Sequence, residues 1–128
     1  MADDTTTLEG RCHCGGITVR VPQDAYGLIA CHCGDCQKLH GNFFAMLAVA
    51  TADVEWSGAL QPQWYASSPT SQRAHCPRCG SRLAKRPAEG GRTLVSAGLF
   101  PRELPRRVVR QVWTDSHPGW YDLPATAT

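Results

Sequence analysis

Cys76-Pro77-Arg78-Cys79-Gly80 sets two thiols on one side of a tight turn. The glycine that follows lets the backbone adopt the conformation that points its N–H groups at sulfur. Such a turn supplies half of a tetrahedral zinc site, with Zn–S distances of about 2.3 Å. Far upstream, Cys12-His13-Cys14-Gly15 has the form of the other half, a C-x-C-G knuckle just ahead of a strand-like segment. One metal shared by Cys12, Cys14, Cys76 and Cys79 would close a long loop and tie an N-terminal hairpin to the middle of the chain. Either pair alone has two plainer readings, a redox pair or buried free thiols. A thioredoxin-like redox motif wants a βαβ context, which this sequence lacks.

Cys31-His32-Cys33-Gly34-Asp35-Cys36 differs in kind, with three thiols inside six residues. Three protein ligands and one open position make a catalytic zinc site, whereas structural sites are closed by four. A fourth ligand from His32, His40 or His75 would close it instead, and ordinary buried cysteines are a further reading.

These clusters account for all seven cysteines of the 128-residue chain. An odd number cannot be fully paired within one molecule. The opening MADDTTTLEG is acidic and has no apolar stretch, so the expectation is a reducing cytoplasm, where clustered cysteines bind metal or do catalysis. Length predicts one domain over residues 1–128 with its own core. The longest apolar run, residues 43–50, is too short for a membrane helix, so no membrane partner is expected. Arg102, Arg106, Arg107 and Arg110 form a basic segment. A net charge of only +2 and the interrupting Glu103 argue against nucleic acid, and a solvated strand edge fits better. Two Zn²⁺ ions and seven thiolates would turn that +2 into about −1.

Short strands dominate the rest. Ile17-Thr-Val-Arg-Val21 alternates with the period of a half-buried strand, and residues 43–49 read as a more buried one. Residues 54–56, 63–65, 93–96 and 108–114 are further candidates, separated by Gly and Pro. One short helix is expected at residues 35–40, and a frayed tail at 125–128. The sum is a mainly β fold.

The ordered set G-x-C-x-C-G at residues 10–15, C-H-C-x-x-C at 31–36 and C-x-x-C-G at 76–80 resembles the glutathione-dependent formaldehyde-activating enzyme family, also called the CENP-V/GFA family. Gly41-x-Phe43, Ser81-x-Leu83, Trp113 and Pro118-Gly-Trp120 add to the likeness, which spans residues 10–124. It implies an Mss4-like β fold of short antiparallel strands stapled by two zincs per chain. By similarity Cys12, Cys14, Cys76 and Cys79 hold the structural zinc, and Cys31, Cys33 and Cys36 the catalytic one. Departures lie outside the ligands: His75 stands where an aromatic is common, Gln111-Val112-Trp113 replaces His-Ile-Trp, and Phe100-Pro101 follow Leu99 where an Asp is frequent.

The implied activity is that of a carbon–sulfur lyase acting on glutathione and formaldehyde, with S-hydroxymethylglutathione as the adduct. Three thiolate donors leave a weak Lewis acid, which favours capture of the incoming thiol over polarisation of the carbonyl. His32, His40 and Asp35 are candidates to move the proton. Arg73, Arg78, Arg82 and Arg110 are candidates by type for glutathione's carboxylates. The alternative is a zinc-scaffolded adduct carrier or protein-interaction module without catalysis; a pure scaffold needs only the four-cysteine site.

Overall fold

The computed structural model describes residues 7–24 and 27–125. Of the frayed tail expected at 125–128, residues 126–128 lie outside them. Among the described residues ten strands run in the order β1 (Thr7–Arg11), β2 (Thr18–Pro22), β3 (Leu28–Cys31), β4 (Phe44–Ala50), β5 (Glu55–Ser57), β6 (Gln63–Ser68), β7 (Ser71–His75), β8 (Arg82–Pro87), β9 (Arg92–Ser96) and β10 (Val108–Val112). The helix α1 (Gly34–His40) separates β3 from β4. Among the described residues no helix is long and apolar enough to cross a membrane.

The strands form a three-stranded sheet, β1-β2-β5, and a seven-stranded sheet, β10-β3-β4-β9-β8-β7-β6. Every pair is antiparallel except β10 with β3, which run parallel. Successive side chains of a strand point to opposite faces, so each face of the larger sheet can be read off its register. One face presents Leu47, Val49, Ala74, Ala84 and Val95, which pack with Val19 and Val21 of the smaller sheet and Ile17 just before β2 into the main core. The other presents Phe44 and Met46, which pack with Cys31 and Cys36 under α1.

β2, β4, β5 and β9 lie within a residue of the stretches whose apolar pattern announces them, while β6 runs on to Ser68. β10 ends at Val112, two residues short of expectation, because Trp113 turns the chain with φ 56 and ψ 38. α1 starts one residue early. Cys33 caps it by accepting from the Cys36 N–H at 3.4 Å, and Gly41 ends it at φ 89.

Candidate metal centres

The first centre sits where two hairpins meet. Cys12 and Cys14 occupy the turn between β1 and β2; Cys76 and Cys79 occupy the turn between β7 and β8. The two turns share a design. The Gly15 N–H donates to the Cys12 carbonyl at 3.0 Å, and the Gly80 N–H to that of Cys76 at 2.9 Å. Both glycines are left-handed, at φ 79 and 81, where an L side chain is strained. The His13 N–H donates to Ser81 Oγ at 2.9 Å and stitches the turns together.

All four Sγ atoms of this centre lie within 4.8 Å of one another. Cys14 Sγ is 3.6 Å from that of Cys12 and 3.7 Å from that of Cys76. A tetrahedral ion about 2.3 Å from each sulfur sets the sulfurs about 3.8 Å apart, so the spacing suits such an ion. Donors turned toward the sulfurs favour thiolate. The Arg78 Nε–H donates to Cys14 Sγ at 3.3 Å and the Ile17 N–H to Cys12 Sγ at 3.3 Å. The Ser81 hydroxyl, 3.2 Å from Cys79 Sγ, leads in drawing that thiol's pKa down to about 5. A hydrogen bond from the Gly16 backbone, then Arg78, lowers that of Cys14, whereas burial raises that of Cys12.

The second centre is local in sequence. Cys31 ends β3, Cys33 caps α1 and Cys36 lies in its first turn, and their three sulfurs also fall within 4.8 Å of one another. Cys36 is fully buried and Cys31 nearly so. Hydrogen bonding from Cys36 lowers the Cys31 pKa, while Cys31 and then burial raise that of Cys36. Without a cation, then, one thiol keeps its proton so that its neighbour can ionise; a divalent ion removes that conflict. Arg73 is only 6% exposed, and its two terminal nitrogens donate to Cys36 Sγ at 3.6 and 3.7 Å. No carboxylate pairs with it among the described residues. A buried guanidinium needs an anion, and the thiol cluster is what it faces.

No histidine joins either cluster among the described residues, so the closing ligands offered by His32, His40 and His75 do not materialise. His32 is wholly buried between Phe43 and Tyr121, and its Nε2–H donates to Gln111 Oε1 at 2.6 Å. Its Nδ1 has no partner. His40 stacks on Phe44 at 4.1 Å. Burial first, then the charges of Arg73 and Arg82, lower its pKa to about 4.

A cavity of about 350 Å³ opens beside Cys33, lined among others by Asp35, Ser67, Arg73, Lys85 and Trp113. Of the proton-transfer candidates only Asp35 lines it. Of the four arginines proposed for carboxylates only Arg73 does. Arg78 serves the first centre, Arg82 donates to the Leu39 carbonyl at 3.1 Å, and Arg110 lies on the edge strand β10. Lys85 escapes a reading of motifs, because nothing in its flanking sequence links it to the cysteines; only the β7–β8 register brings it there.

The model of the glutathione-dependent formaldehyde-activating enzyme family matches residues 7–116. A Rhodobacter sphaeroides protein of known crystal structure shares the fold, with a TM-score of 0.63 and 19% identity over 79% of this chain and 98% of that one. No curated protein matches the sequence.

Proposed function

This chain belongs to the glutathione-dependent formaldehyde-activating enzyme family, and on that premise we propose that it joins the thiol of glutathione to formaldehyde, giving S-hydroxymethylglutathione. In this reading Cys12, Cys14, Cys76 and Cys79 hold a structural zinc, and Cys31, Cys33 and Cys36 hold a catalytic zinc with one position open. The observation that carries it is a three-sulfur cluster, with no other ligand-type side chain in it among the described residues, that borders a cavity through Cys33. Classified by its reverse direction, the enzyme is a carbon–sulfur lyase. The cytoplasm suits it, because thiols stay reduced there.

Free thiols have a pKa near 8.5, and zinc at this centre would supply the missing acidity by stabilising the thiolate. The rest falls to the chain. The reaction forms one C–S bond, opens the carbonyl π bond and moves one proton from sulfur to oxygen. Asp35, one of the residues lining the cavity beside Cys33, is the candidate for that proton, taking it from the thiol and returning it to the alkoxide oxygen. His40 is a poor donor at neutral pH because its burial keeps it unprotonated down to about pH 4. The Nε2–H of His32 is committed to Gln111. Arg73, held through its Nε–H by Ser67 Oγ at 3.3 Å, offsets the negative charge of the three thiolates.

Calorimetric titration with glutathione, on the parent and on Cys33→Ser, tests this reading. Heat of binding in the parent and its loss in the variant are expected; equal affinity in both would show that the three-cysteine centre does not receive the thiol.

A further inference from the structure

Arg73 in β7 and Lys85 in β8 are direct cross-strand partners. Their neighbours Ala74 and Ala84 are buried in the main core, so both cations project from the opposite face, the one that carries α1. Like charges directly opposed in an antiparallel pair repel each other. Arg73 has an answer to its charge in Cys36. Lys85 has none: it is half-buried, it lines the cavity with Cys33, and it makes no ion pair among the described residues. Trp113, 66% exposed, also lines the cavity. It is the one non-glycine residue with positive φ among those described, a conformation uncommon for a bulky residue, and it turns the chain there so that the ring borders the cavity.

We infer that Lys85 is the specificity-determining residue of the thiol site: its ammonium receives a carboxylate of the incoming thiol compound, and Trp113 is the wall against which that compound lies. The inference rests on the thiol-binding reading of the three-cysteine centre and adds the class of thiol selected, one bearing an anionic group at a distance from sulfur. Neutral and cationic thiols leave Lys85 unanswered.

S-Methylglutathione keeps both carboxylates and has no thiol, so it probes the cavity apart from the sulfur contact. The experiment is calorimetric titration of the zinc-loaded full chain with this compound and with its diethyl ester, at low salt. In the parent the acid binds about tenfold or more tighter than the ester, the worth of a hydrogen bond to a charged group. In Lys85→Met that preference disappears while the affinity for the ester stays unchanged; Lys85→Arg restores the preference. Trp113→Ala weakens acid and ester alike. Unchanged thermal transitions and metal content keep these comparisons to folded protein.

Equal binding of acid and ester by the parent would overturn the inference, as would a preference that survives in Lys85→Met. Failure of the thiol-binding reading looks different: a Lys85-dependent preference persists, yet glutathione binds no tighter than S-methylglutathione. That result would support the assignment of Lys85 and remove the thiol contact. Absence of binding by all three compounds would overturn both.

Discussion

Cys12, Cys14, Cys76 and Cys79 converge from two hairpin turns, and the Cys14–Cys76 contact alone spans 62 residues. Cys31, Cys33 and Cys36 come from one strand end and the helix that follows it. A cross-link that closes a long loop restricts the unfolded chain far more than one that joins near neighbours. A metal held by the first centre would therefore hold the fold, and one held by the second would add little to stability. Their charges differ in the same sense. Four thiolates around a divalent ion leave −2, which the exposed Arg78 and solvent can serve. Three would leave −1, which the buried Arg73 would cancel, a balance that would let a charged centre sit inside the protein.

The largest expected effect comes from removing this contrast at its stronger end. Cys76→Ser should lose several kcal/mol of stability, enough to unfold a marginally stable domain, because structural metal binding and folding are one equilibrium. Cys33→Ser should keep a thermal transition close to the parent's. Denaturant melts of the two variants side by side would break the comparison if they fell equally.

Arg73→Leu should weaken metal binding at the second centre about 10–100-fold and leave the first untouched, as expected for a group that orients and neutralises ligands. Competition with a chromophoric chelator resolves the two affinities. Among the glycines, Gly80→Ala forces a left-handed side chain into the first centre and should cost about 1–2 kcal/mol. Gly34→Ala at the second meets no atom within 4 Å and carries no positive φ, so its unfolding free energy in urea should stay within about 0.5 kcal/mol of the parent's.

A further effect concerns pH. His40 lies against Phe44 beside the second centre, and its folded pKa of about 4 falls below the ordinary 6.5. As pH drops through that window the unfolded chain takes up the proton and the folded one does not, so stability declines between about 6.5 and 4. The thiolates add their own acid sensitivity. The difference in urea midpoints between the parent and His40→Phe, taken at pH 7.5 and 5, isolates the histidine, and the variant should lose less.

The cysteine spacing carried both clusters, because a metal-binding turn is a local object. β2, β4, β5 and β9 were legible because their apolar faces meet the main core. β7 and β8 were not. Their faces toward the second centre carry Arg73 and Lys85 where a plain two-sided strand would show apolar residues, so charge breaks the pattern that announces a strand. The parallel pairing of β10 with β3 was equally hidden: strands so distant in sequence leave no local mark of their register. The cavity draws part of its lining from β7, β8 and the residue after β10, and Lys85 reaches it through the β7–β8 register, which is why it entered only with the structure.

The central claim is that seven cysteines form two centres, one closed by four sulfurs and one held by three. Native mass spectrometry of protein purified without added zinc tests it most directly. Two zinc ions per chain in the parent, and one in Cys33→Ser, are predicted. A single zinc in the parent, with three thiols freely titratable, would contradict it.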